Sequence, residues 1–118
     1  MRPRILIVDD ESRQMEALCR TLAPEGYDVT GFSVPEKALA ALREQSFDVL
    51  LTDLMMPGTD GLALLAAALE IDPDLVGIMM TGQGSVTSAV DAMKIGALDY
   101  ILKPFNLTAI RPVLARAV

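Results

Sequence analysis

The sequence predicts an α/β fold in which a five-stranded parallel sheet carries helices on both faces. Short β-rich runs alternate with helical patterns five times along the chain, the signature of repeated strand–helix units. Two of the runs, ILIV at Ile5–Val8 and VLL at Val49–Leu51, are apolar throughout, as strands buried on both faces require. Several runs also end in a chemically loaded residue: Asp9-Asp10 after ILIV, Asp53 after VLLT and Lys103 after DYIL.

The first strand is expected at Ile5–Val8, followed by a helix that places Met15, Leu18 and Leu22 on one side. A strand over Asp28–Gly31 follows. Ser33-Val34-Pro35-Glu36 reads as a capping box opening a second helix, which turns Ala38 and Leu42 inward; proline is tolerated in a first turn, where its missing N–H has no partner to lose. The third strand is Val49–Thr52 and its helix carries Leu62, Leu65, Ala68 and Leu69 at helical spacing. The fourth strand is Val76–Met80, and its helix should run from Val86 to Ile95 and stop at Gly96. The fifth strand is Tyr100–Leu102. The last segment, Leu107–Val118, shows Leu107, Ile110, Val113, Leu114 and Ala117 on one stripe, with Pro112 inside predicting a kink or a restart.

The chain has 118 residues, 52% of them hydrophobic and 4% aromatic, which fits one domain with an aliphatic core and no second one. We expect residues 1–118 to be a domain cut from a longer chain, since the apolar end at Val118 lacks a polar tail. A formal charge of −6, with the 10 basic residues unclustered, argues against direct nucleic-acid binding. The longest apolar stretch, Leu62–Leu69, is well short of the roughly 18 residues of a membrane span, and the opening residues lack a signal peptide's cleavage site. A cytoplasmic location and no membrane insertion are therefore expected. The single cysteine, Cys19, cannot form an internal disulfide and falls on the apolar side of its helix, where it reads as a core thiol.

In an open parallel sheet, ligands bind outside the carboxyl ends of the strands. Asp9, Asp10, Asp53, Thr81 and Lys103 each fall at such an end. Three carboxylates at one edge repel one another unless a cation neutralises them, and a hard divalent ion, Mg²⁺ or Mn²⁺, suits oxygen ligands and a phosphate-bearing substrate.

VDDE at Val8–Glu11, TDLMMPGTDG at Thr52–Gly61, MTGQG at Met80–Gly84 and GALDYILKPF at Gly96–Phe105 together resemble the response-regulator receiver domain over the whole chain, most closely receivers of nitrogen-regulator-class regulators and hybrid sensor histidine kinases. The resemblance implies a flavodoxin-like (βα)5 fold with strand order 2-1-3-4-5. It implies that Asp53 accepts a phosphoryl group from a histidine kinase or phosphotransfer domain, and that Asp10, Asp53 and the Met55 carbonyl hold Mg²⁺, with Asp9 reaching it through a water. Lys103 would pair with a phosphate oxygen, Thr81 would donate its hydroxyl to the phosphoryl group, and Tyr100 would change rotamer with Thr81. Met55 and Gln83 would flank the phosphate and set its lifetime, and the bond before Pro104 would be cis.

The implied output is a switch of the helix 4–strand 5–helix 5 surface toward an output domain in cis or a protein partner, with a phosphorylation-dependent dimer left open. The parent would be a transcriptional regulator or a hybrid kinase, and the domain itself no enzyme beyond its own phosphorylation and dephosphorylation. Two other readings compete. A Mg²⁺-dependent small-molecule phosphatase or phosphotransferase would need a cap over its substrate, for which 118 residues leave no room. A receiver-like interaction module without phosphoryl chemistry would lack one of the acids, Thr81 or Lys103, and none is lacking.

Overall fold

Five parallel strands, β1 (Arg4–Val8), β2 (Asp28–Phe32), β3 (Val49–Asp53), β4 (Val76–Thr81) and β5 (Ala97–Leu102), form one sheet in the order β2-β1-β3-β4-β5. The helices α1 (Ser12–Leu22), α2 (Pro35–Glu44), α3 (Gly61–Ile71), α4 (Val86–Ile95) and α5 (Leu107–Ala117) each follow a strand. The computed structural model describes residues 2–56, 58, 60–82, 86–103 and 106–118, and of 86–89 the backbone alone.

The two apolar central strands split their side chains between two cores, as a two-residue period dictates. Leu6, Val8 and Leu50 pack with Ala38, Leu42, Leu64, Leu65 and Ala92 beneath α2, α3 and α4. Ile5, Ile7, Val49 and Leu51 pack with Leu22, Ile110, Val113 and Leu114 beneath α1 and α5. The parallel doubly wound sheet and its strand order are as the sequence implied. Cys19 is only half-buried against the second core, its Sγ 3.8 Å from the Met15 sulfur, and burial pushes its thiol up from the ordinary value.

Three local expectations change. The capping box at Ser33 does not form: α2 starts at Pro35, Val34 occupies the N-cap position in an extended conformation (φ −121°, ψ 119°), and no side chain caps it. A residue before proline is pushed out of the helical region, so Val34 cannot join the helix and Ser33 stands one position too early. Strand β5 begins at Ala97 rather than Tyr100. Ala, Leu and Asp are weak strand signals, but a register shift opposite Gly77/Ile78 lets Ala97 pair with Gly77 and Asp99 with Ile78.

Helix α5 runs as one element through Pro112 instead of restarting. The proline and Thr108, whose carbonyl it leaves without a donor, are both exposed. Water can therefore serve that carbonyl, while buried Ile110, Val113 and Leu114 pin the helix on both sides of the proline. Helix α4 ends as expected, with Gly96 at φ 127° and its N–H donating to the Ala92 carbonyl at 3.1 Å.

Candidate functional site at the carboxyl ends of the strands

The alternation that divides the core also selects which strand-end residues meet. Ile5 and Ile7, Val49 and Leu51, and Ile101 all lie in the core under α1 and α5. Two residues further along the same face come Asp9, Asp53 and Lys103. The register brings these ends level, since Val8 pairs with Thr52 and Asp53 with Met80. Two backbone hydrogen bonds extend it: Leu54 N–H donates to the Met80 carbonyl and Lys103 N–H to the Thr81 carbonyl, both at 2.7 Å.

The Lys103 ammonium donates to Asp9 Oδ2 at 2.7 Å, to Gln14 Oε1 at 3.0 Å and to Asp53 Oδ2 at 3.4 Å. Asp9 is 1% exposed and Asp53 9%, so two acids are withdrawn from water around one cation. A third joins them: carboxylate oxygens of Asp9, Asp10 and Asp53 lie within 4.8 Å of one another. One ammonium cannot balance three carboxylates at that spacing. The set of three oxygen donors fits a hard divalent cation.

The titration of the pair shows the imbalance. Burial pushes the Asp53 carboxyl above its ordinary value and the Asp9 charge adds to this, while Lys103 and the Met55 N–H pull it back without cancelling the rise. Burial pulls the Lys103 ammonium down, but its hydrogen bond and charge attraction to Asp9, then those to Asp53, outweigh burial and leave it raised. Lys103 is thus held fully charged.

Local sequence explains how the cup is kept open and shaped. Asp9 Oδ1 accepts the Glu11 N–H at 3.0 Å, turning the chain from β1 into α1. Helix α3 starts directly behind Asp53, with Gly61 N–H donating to the Leu54 carbonyl at 2.8 Å and Asp60 capping the Ala63 N–H at 2.7 Å. A Cβ on Gly61 would stand 2.3 Å from the Asp53 carbonyl oxygen, so only glycine fits there.

The structure therefore brings Asp9, Asp10, Asp53 and Lys103 together. Thr81 ends β4 and is 4% exposed; Met55 follows Asp53 with its side chain 70% exposed; Tyr100 is 37% exposed on β5. Gln83 and Pro104 lie outside the described residues. Sequence reasoning missed Gln14, since one glutamine in a helix's first turn carries no signal. It also missed the cavity of about 790 Å³ that opens from Asp9, Asp53 and Lys103 and continues between α1 and α5 along Leu18, Leu107 and Ile110.

The sequence profile described as the response regulator receiver domain matches residues 5–115. The chain belongs to that family. It is 40% identical over 103 residues to the C4-dicarboxylate transport transcriptional regulatory protein DctD of Rhizobium meliloti, covering 87% of this chain and 22% of DctD. It is 40% identical over 114 residues to the DNA-binding transcriptional regulator NtrC of Salmonella typhimurium, covering 97% of this chain and 24% of NtrC. Among solved structures, the chemotaxis protein CheY4 of Vibrio cholerae superposes with a TM-score of 0.94 at 26% identity over 100% of both chains. This receiver domain thus spans about a quarter of the length of the curated relatives it matches. It is a receiver of the two-component response-regulator kind, and the small-molecule phosphatase reading finds no support. Among the described residues, no helix is long and apolar enough to cross a membrane.

Proposed function

We propose that Asp53 is the phosphoacceptor of this receiver and that the cup around it is the phosphorylation site. The observation that carries this is the convergence of three carboxylates within 4.8 Å on one ammonium, with Lys103 Nζ 3.4 Å from Asp53 Oδ2, at the open mouth of a cavity. A carboxylate needs no base to act as nucleophile at neutral pH. Phosphoryl transfer asks mainly for positioning and charge neutralisation, which this arrangement offers.

In the proposed step, an Asp53 oxygen attacks the phosphorus of a phosphohistidine on a kinase or phosphotransfer domain. The P–N bond breaks, its electron pair stays on the imidazole nitrogen, which takes up a proton, and Asp53 becomes an acyl phosphate. Lys103 holds a phosphoryl oxygen as a compact point charge. Asp10, Asp53 and the Met55 carbonyl would hold Mg²⁺ or Mn²⁺, with Asp9 reaching it through a water, and the ion would supply the remaining positive charge. Hydrolysis of the acyl phosphate returns Asp53 and releases inorganic phosphate; exposed Met55, which cannot orient a water, would slow that step, and Gln83 is the second residue proposed to set the phosphate lifetime.

The signal is proposed to leave through Thr81 and Tyr100. The new charge draws the Thr81 hydroxyl toward the phosphoryl group and repositions Tyr100 on β5. Val90 and Met93 on α4 and Leu98, Tyr100 and Leu102 on β5 are exposed, apolar side chains suited to an output domain or to a phosphorylation-dependent dimer. The matched relatives favour a transcriptional regulator, rather than a hybrid kinase, as the parent chain, and a cytoplasmic location is proposed with it.

The test is intact-protein mass after incubation with acetyl phosphate and Mg²⁺. The wild-type chain should gain one phosphoryl group, and Asp53→Ala or a chelator should abolish the gain. An unmodified wild type, or many rounds of phosphate release from small phosphoesters, would overturn the reading.

A further inference from the structure

An ammonium on a four-carbon stem is a mobile donor: its three N–H bonds turn freely unless more than one acceptor holds them. In this receiver all three are engaged, and the contacts are unequal. Asp9 at 2.7 Å and Gln14 at 3.0 Å are close, and Asp53 at 3.4 Å is the loosest. Asp9 comes from the end of β1 and Gln14 from the first turn of α1, so the two grip the ammonium from different elements. Asp53 and Gln14 both line the cavity mouth with Lys103.

We propose that Gln14 is a positioning residue for the phosphorylation reaction: with Asp9 it forms a two-point anchor that aims the third N–H of Lys103 at Asp53. Through Asp9 alone the ammonium could rotate about a single hydrogen bond. The second anchor removes that freedom before the phosphoryl group arrives, so the donor is already in place where a phosphoryl oxygen develops charge. A neutral carboxamide suits the task, because a glutamate there would add a fourth carboxylate to a site that must admit a phosphate. This inference rests on Asp53 being the phosphoacceptor.

The experiment uses the 118-residue chain with Gln14→Leu and Gln14→Glu, and reads two quantities. One is the NMR order parameter of the Lys103 ammonium, measured without any phosphodonor. The other is the rate of Asp53 modification by acetyl phosphate with saturating Mg²⁺. Gln14→Leu should mobilise the ammonium and slow modification by about three- to tenfold, the worth of one modest hydrogen bond in the transition state, with half-saturating acetyl phosphate unchanged. Gln14→Glu, which keeps an acceptor oxygen at the same reach, should restore the order of the ammonium. Modification of Gln14→Leu at the wild-type rate would overturn the proposal, as would slowing with the ammonium as ordered as in the wild type. A wild type that stays unmodified would overturn the phosphoacceptor reading, and with it this inference; an ordered ammonium in that sample separates this failure from the loss of the Gln14 contact.

Discussion

Each end of the sheet holds one basic side chain among acids, and the two ends use it differently. At the amino end, Arg4 pairs through Nε with Asp28 at 3.5 Å, donates to the Ser46 carbonyl at 3.2 Å and to Gln45, and lies 5.3 Å from the centre of the Phe47 ring. Its backbone N–H donates to Asp48 at 2.7 Å. The Arg4 and Asp28 side chains are 37% and 55% exposed, so water shares the solvation of both charges. At the carboxyl end the Lys103, Asp9 and Asp53 side chains are 20%, 2% and 12% exposed. There the charges must satisfy one another, and the acids outnumber the cation. Depth of burial, more than the number of ion pairs, separates a surface brace from a site that stores unbalanced charge.

The largest expected effect breaks that comparison at its buried end. Lys103→Met leaves Asp9 and Asp53 facing each other with no counter-charge. In chelator, unfolding stability should fall by roughly 2–3 kcal/mol, at the low end for a buried pair that loses one partner, because the cup opens to water. Saturating Mg²⁺ should recover part of the loss, since an ion that binds the folded acids stabilises the fold by mass action. Urea midpoints with and without Mg²⁺ measure both. A loss no larger than that of an exposed pair would show that the cup is not electrostatically strained.

A smaller effect of opposite sign is expected at Asp53. Folding raises its carboxyl above the ordinary value of 3.8, so the folded state binds that proton more tightly than the unfolded state does. Stability contributed by the group is therefore complete at low pH and is lost as pH climbs from 3.8 through the raised folded value. Asn cannot ionise and avoids the loss. In chelator, Asp53→Asn should match the wild type below about pH 3 and melt at a higher temperature at neutral pH. Saturating Mg²⁺ should narrow the gap by stabilising the wild type more. A variant that melts lower at neutral pH would reverse the sign argued here.

The same contrast explains what the sequence could and could not reveal. Ile5–Val8 and Val49–Leu51 announced central strands because each residue is apolar, and the charged residue closing an apolar run pointed to Asp9, Asp53 and Lys103. Those signals are local and periodic. Gln14 was invisible because its importance comes from a contact with a residue 89 positions away. The start of β5 was hidden because Ala97 and Asp99 are weak strand formers whose pairing depends on a register shift opposite Gly77. Pro112 misled for a related reason: its effect on a helix depends on whether water reaches the orphaned carbonyl, which is a property of the tertiary fold. The Ser33 capping box failed on a purely local rule, the restriction that Pro35 places on Val34, which the sequence already contained.

The smallest expected effect sharpens the comparison from the exposed end. Arg4→Met keeps an apolar stem beside Phe47 and leaves the backbone bond to Asp48 intact, removing only the guanidinium contacts. Exposed ion pairs are worth about 0–1 kcal/mol, so the urea midpoint should move by no more than this allows. Salt then discriminates the two ends more sharply than either midpoint alone. Charges in contact with water are screened over about 8 Å at physiological ionic strength, and buried pairs much less. Raising salt should erase the Arg4→Met difference while leaving most of the Lys103→Met difference in place. If both differences shrink together, the cup is as well solvated as the surface, and the unbalanced charge at Asp53 has water, rather than a metal or a phosphoryl group, to answer it.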